Sequence, residues 1–225
     1  MRGWTCVPTI DRGEKTSTLL RILFHMVCWL PLAWILYAYF SGRLSVNPIQ
    51  DIEQRLGHLA LYFLFATLMV TPLHTLLGWR QPLKYRRALG LYCFLYASLH
   101  VLAFSGLDYG FNLRLIGGIV IKKPYAILGM LAFLLLLPLA VTSFGGWKQR
   151  LARRWTKIHR LVYLAGILVV LHYTWARKGN LFSLSGDIQR PLAWGLLLLV
   201  LLSLRLPSIR RRVGALRQRS AHPPD

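Results

Sequence analysis

Long apolar runs separated by short basic connections dominate this chain. Six stretches, approximately 19–40, 56–78, 87–107, 124–144, 157–176 and 190–207, are long enough to cross about 30 Å of hydrocarbon at about 1.5 Å per helical residue. A lipid-exposed segment must satisfy its backbone polar groups internally, so isolated apolar runs of this length read as helices and not as strands. Pro31, Pro72 and Pro138 fall inside the runs; each predicts a kink whose freed backbone group is re-satisfied by a neighbouring helix. The first run has 22 residues, longer than the roughly 7–15 of a signal-peptide core, and no small-residue cleavage site follows it. It is expected to be retained. The predicted fold class is an all-α integral membrane protein, a bundle of six transmembrane helices.

The connections set the orientation. With the N-terminus inside, 20 of the 28 Lys and Arg fall on the cytoplasmic side, among them Arg80, Lys84, Arg86 and Arg87, the run from Lys148 to Arg160, and Arg205 with the tail beyond it. The positive-inside rule therefore predicts an even number of spans with both termini cytoplasmic. The expected organisation is a cytoplasmic segment 1–18, a helical domain 19–207 and a basic tail 208–225.

Composition changes this picture little. Of 225 residues 55% are hydrophobic and only 16% charged, and mean hydropathy is +0.45, as expected of a membrane protein. The formal charge of +21 would suggest nucleic acid in a soluble chain, but topology and anionic lipid account for it here. Cys6, Cys28 and Cys93 have no CxxC or CxxCH spacing, so they predict neither a disulfide framework, a zinc site nor covalent haem. No GxGxxG, P-loop, HExxH or nucleophile elbow occurs. Chemistry must then occur inside the bundle, at its faces or on a partner, and no catalytic residue is assigned.

Histidine is the candidate chemistry. An ionisable side chain in hydrocarbon is costly and marks a functional site by default. His25 lies in the first run, His58 and His74 near the ends of the second, His100 late in the third, and His159 and His172 in the fifth; His222 belongs to the tail. Counted from the inner ends near Arg87 and Lys157, His100 and His172 lie about 20 and 22 Å into the bundle. Two imidazoles at matching depth on different helices are the arrangement that holds a porphyrin iron by axial nitrogens. Gly129 and Gly166 could admit a flat macrocycle, although glycine also serves helix packing. His159, near the cytoplasmic end, cannot share that iron if its helix is continuous. It could serve a second, inner haem, hold a propionate or stand by a flavin, with His74 level with it. Thirteen residues place His159 and His172 roughly 140° apart around a straight helix, so alignment on one face requires local unwinding. His25 and His58 read as a helix-bridging and an interfacial residue. The basic stretch "WKQRLARRWTK" enforces topology, or attracts an acidic redox protein or a flavin phosphate.

"RRALGLYCFLYASLHVLAF" followed by "RRWTKIHRLVYLAGILVVLHYTW" resembles the ferric-reductase-like transmembrane domain shared with NADPH oxidases and metalloreductases. The closer resemblance is to the haem-binding subunit of the bacterial protein-methionine-sulfoxide reductase system, the MsrQ family. "NPIQDIEQRLG", "ATLMVTPL" and "KKPYAILGMLAFLLLLPLAVTS" extend that similarity over about residues 19 to 207. The resemblance implies a multi-pass b-type cytochrome of the bacterial inner membrane with His100, His159 and His172 as haem and metal ligands. One haem b, or two, is implied, with FMN as an associated cofactor. It implies a periplasmic molybdopterin-containing partner that reduces methionine sulfoxide in oxidised envelope proteins, and electrons from the quinone pool or a cytoplasmic flavin reductase. The third run carries one histidine where NADPH oxidases have two. No flavin and nicotinamide domain follows the last run in these 225 residues, so an external donor is expected. The alternatives are a haem carrier with another periplasmic acceptor and a small transporter using histidines as proton relays. No acid falls inside any of the six runs, which disfavours the transporter.

Overall fold

The computed structural model describes residues 12–177 and 187–206. Expectations for the start of the N-terminal segment, residues 178–186 and the basic tail with His222 lie outside the described residues. The chain divides into two compact units, Met1–Pro48 and Ile49–Asp225, and among the described residues every regular element is helical.

The first unit is built on α1 (Arg12–Phe40), which carries Pro31 internally. Its end is a glycine cap. Gly42 adopts φ 65°, a left-handed conformation that costs glycine little, and Arg43 N–H then donates to Ala38 O at 2.9 Å, closing the last turn as a Schellman motif does.

The second unit follows as α2 (Pro48–Leu77), α3 (Gln81–Ala103) with a π-helical turn at Phe104–Asp108, α4 (Leu113–Lys122), α5 (Pro124–Val141), α6 (Trp147–Leu151), α7 (Arg153–His159), α8 (Leu161–Ala176) and α9 (Gln189–Ser203). Proline opens α2 and α5 at their first residues, where the missing N–H would have had no helical partner. Leu64, Phe65 and Leu68 of α2, Cys93 of α3, Leu136 of α5, Ala165 and Val170 of α8 and Leu198 of α9 form one buried cluster. The outer surface is equally apolar: Leu131, Leu134, Leu164, Ile167, Leu196 and Leu199 are exposed, as suits a bundle whose solvent is lipid.

Five helical segments are long and apolar enough to cross a membrane: Thr18–Phe40, Pro48–Leu77, Gln81–Asp108, Pro124–Val141 and Arg153–Ala176. The sixth expected span is the shorter α9, with 15 residues. α2 begins eight residues before the boundary expected at 56, because Pro48 initiates the helix and the polar turn after it continues as helix. Asp51 and Glu53 therefore lie within this membrane-length segment, which corrects the expectation that no span contains an acid.

Proline 72 sits inside α2 and has no N–H to offer the carbonyl four residues earlier, that of Leu68. Arg205, two residues beyond α9, supplies the missing donor: its Nη2 donates to Leu68 O at 2.6 Å and its Nη1 to the Tyr163 hydroxyl at 2.7 Å. The predicted re-satisfaction of a proline kink by a neighbouring element is realised here by a guanidinium that joins α2, α8 and the end of α9.

Candidate functional site

The continuous part of α3 carries His100 and α8 carries His172. The structure brings these rings together: their centroids lie 6.3 Å apart, with planes crossed at 73°. Both side chains are half-buried, and each sits in a socket built by a different helix. His100 Nδ1 donates to Glu53 O on α2 at 2.9 Å, and His172 Nδ1 donates to Tyr125 O on α5 at 2.7 Å. The sequence separation is 47 residues in both cases. Four residues beyond each carbonyl stands a glycine against which the ring lies: a Cβ on Gly57 would meet His100 Cε1 and Nδ1 at 3.3 Å, and one on Gly129 would meet the same atoms of His172 at 2.8 Å. The α2–α3 and α5–α8 pairs thus repeat one construction.

This construction fixes the chemistry of the rings. A backbone carbonyl only accepts, so Nδ1 carries the proton, and in the neutral ring Nε2 is then the nitrogen with the free lone pair; a metal-ligating histidine is oriented in the same way. With metal–nitrogen bonds of about 2 Å and roughly 1 Å from nitrogen to ring centre, two imidazoles on one metal atom have centroids about 6 Å apart. The observed spacing fits. Among the described residues no group of three or more His, Cys, Asp or Glu converges. The pair therefore has the donor count of axial ligation to a metal whose remaining ligands come from a macrocycle, rather than that of a zinc centre.

The other histidines separate from this pair. His159 closes α7, its ring stacked on Trp155 at 4.0 Å and its Nε2 3.2 Å from the Thr142 hydroxyl at the end of α5. Trp155 Nε1 donates to Thr142 O at 3.1 Å, which ties α7 to α5. Between His159 and His172 the helix is interrupted at Arg160, where Arg160 N–H donates to Lys157 O and Tyr163 N–H to Arg160 O. These three-residue turns unwind the helix locally between the two histidines. His58 lies beside the pair: its Nδ1 donates to Gln54 O at 2.6 Å and its ring meets Tyr173 edge-on at 5.4 Å. His74 is in the last turn of α2. His25 is exposed on α1, edge-on to Phe24.

Two expectations about glycine change. Gly129 admits the ring of His172, and Gly166 faces Leu198 and Leu68 side chains at 3.3 and 3.6 Å, so it serves helix packing. Glu53, Gly57 and Tyr125 escaped sequence reasoning. The signal that could have found them is the shared offset, a glycine four residues after the residue 47 positions before each histidine. The carboxyl group of Glu53 lies close to that of Asp108, and its Oε1 is buried without a hydrogen-bond partner.

Comparison with known proteins agrees with this arrangement. The family model described as "Ferric reductase like transmembrane component" matches residues 56–170, which include His58, His100 and His159. A protein of Rhodospirillum rubrum is 42% identical over 201 residues, covering 88% of this chain and 93% of its own length. Proteins of Cronobacter sakazakii and Klebsiella pneumoniae are each 40% identical over 200 residues, covering 88% of this chain and 96% of their own lengths. All three carry the name "Protein-methionine-sulfoxide reductase heme-binding subunit MsrQ". With paired histidines in repeated sockets inside a helical membrane bundle, and this similarity along most of its length, the chain belongs to the ferric-reductase-like transmembrane family and, within it, to the MsrQ family.

Proposed function

We propose that this chain is a b-type cytochrome subunit that carries electrons through the bacterial inner membrane to a periplasmic molybdopterin-containing enzyme, which reduces methionine sulfoxide in oxidised envelope proteins. The observation that carries the reading is the His100–His172 pair, with both Nδ1 protons committed to backbone carbonyls. The relatives' names supply haem as the cofactor and the methionine-sulfoxide reductase as the system; FMN is not named in them.

His100 and His172 would hold the haem iron, and a bound haem would supply a one-electron carrier that needs no proton from these rings. The carbonyls of Glu53 and Tyr125 hold each imidazole by its Nδ1–H and orient it, and Gly57 and Gly129 let the rings lie against the helix backbones. His159 serves the inner half, toward the donor, which is the quinone pool or a cytoplasmic flavin reductase. The topology proposed is six spans with α9 as the last and both termini cytoplasmic, as the basic connections favour. Reduction of methionine sulfoxide occurs on the partner.

The test is a visible spectrum of the purified, haem-supplied protein, oxidised and then reduced with dithionite. Sharp reduced α and β bands that disappear in His100→Ala and in His172→Ala, and persist in His25→Ala, are expected. A folded but colourless preparation refutes the reading.

A further inference from the structure

Between α3 and α5 the chain makes a short helix, α4 (Leu113–Lys122), whose surface suits neither water nor the interior of the bundle. Its 10 residues span about 15 Å, too little to cross a membrane. Asn112 caps it, the side chain accepting from Leu115 N–H at 3.2 Å, and the extended Lys123 followed by Pro124 separates it from α5, against which it packs. Positions four apart share a helix face, so Arg114, Gly118 and Lys122 form one face, and all three are exposed. Ile116, Ile119 and Val120 lie opposite and are half-buried. Between these faces, Leu113 and Ile121 on one flank and Leu115 on the other remain 81, 77 and 52% exposed.

The neighbours of α4 decide what covers those flanks. Gln81–Asp108 before it and Pro124–Val141 after it are both membrane-length helices, so α4 is confined to the membrane boundary where the first ends and the second begins. Large apolar side chains this exposed are costly in water, and acyl chains remove the cost. A docked protein would cover one side of α4, whereas apolar residues stand exposed on both sides of the basic face, as a solvent that surrounds the helix requires. Tyr109 and Tyr125 bracket the segment, and tyrosine is the residue of the membrane–water interface. We infer that α4 lies in the headgroup layer of the leaflet at this end of the bundle, the outer leaflet in the topology proposed above. Leu113, Leu115 and Ile121 enter the acyl chains, and Arg114 and Lys122 meet anionic lipid headgroups. The inference is independent of the cofactor that the histidines hold. It also gives the helix a purpose: α4 leads through Lys123 and Pro124 into Tyr125, whose carbonyl receives His172, so a lipid-anchored helix fixes the start of α5 at the membrane surface.

The full chain carrying Cys6→Ser is labelled with a nitroxide at Leu113→Cys, Ile121→Cys or Gly118→Cys and reconstituted in vesicles of phosphatidylethanolamine and phosphatidylglycerol. Cys28 and Cys93 are buried, and the chain without an added cysteine gives the background. Electron paramagnetic resonance then measures collisions with oxygen, which concentrates among acyl chains, and with a nickel chelate, which stays in water. The labels at positions 113 and 121 should favour oxygen over nickel several-fold more than the label at position 118. Leu115→Cys, on the other flank, repeats the reading if a substitution at 113 or 121 unfolds the chain. With Arg114→Gln and Lys122→Gln together, nickel accessibility at position 113 should rise toward the value that the unsubstituted helix shows in phosphatidylcholine vesicles. Equal nickel accessibility of flank and basic face overturns the inference. So does shielding of the flanks that arises only when a soluble periplasmic partner is added, which would assign α4 to protein docking. Accessibility that responds neither to lipid charge nor to the double substitution overturns the headgroup pairing.

Discussion

Replacing Arg205 by methionine keeps an unbranched, lipid-compatible side chain and removes both of its hydrogen bonds. Interhelical hydrogen bonds in membranes average only about 0.6 kcal/mol, because the unfolded chain in lipid finds other partners. The bond to Leu68 O should exceed this average. Its donor is charged, its length is 2.6 Å, and Pro72 denies the acceptor its helical partner, so removal leaves a carbonyl unsatisfied. A loss of about 1.5–2 kcal/mol follows from these considerations. The cause is separable. In Pro72→Ala the helix itself can supply an N–H to Leu68 O, so Arg205→Met should cost about 1 kcal/mol less in that background. Equilibrium unfolding of the four proteins in mixed detergent and dodecyl sulfate gives the coupling. Costs that add within about 0.3 kcal/mol would mean that Arg205 does not compensate the proline.

Other outcomes follow from the sockets. Gly129→Ala places a Cβ at 2.8 Å from the His172 ring and Gly57→Ala one at 3.3 Å from that of His100; the first should deplete the low-spin haem spectrum more than the second, and the reverse order would contradict the socket geometry. Imidazole planes crossed at 73° leave two iron d orbitals nearly equal in energy, so electron paramagnetic resonance of the oxidised protein should show a strongly anisotropic low-spin signal; the more rhombic signal of parallel rings would show that haem reorients them. Thr142→Val removes the hydroxyl beside His159 Nε2 and should cost about 0.6 kcal/mol of stability in the unfolding assay above while leaving intact the spectrum of the haem proposed at His100 and His172; loss of that spectrum would show that the two histidine regions are not independent.

Apolar run length placed the long helices, since burial in lipid imposes a minimum span that composition displays directly. Helix beginnings were less legible: residues 47–55 contain no long apolar run, yet α2 already starts at Pro48 and includes Glu53. The depth of His100 and His172 could be counted from charged helix ends, and so the pair was legible before any coordinates. Their sockets were not, because a backbone carbonyl has no sequence signature and a glycine that receives an imidazole looks like one that packs a helix. The break at Arg160 was equally hidden: no proline or glycine marks it, and the bond from Trp155 to Thr142 O that ties α7 to the end of α5 has no sequence signature.

The repeated sockets bear on how a redox centre between them would be tuned. Each imidazole gives its Nδ1 proton to the same kind of acceptor at nearly the same length, so neither ring is the stronger electron donor by virtue of its hydrogen bond. What distinguishes the two sides lies beyond the carbonyls. On the α2 side stand the neighbouring carboxyl groups of Glu53 and Asp108; on the α5 side the Lys123 ammonium lies 5.9 Å from the Tyr125 ring centre. The two sides therefore differ in charge beyond the carbonyls, and charge changes at those residues would move the potential of a centre held there without touching a ligand.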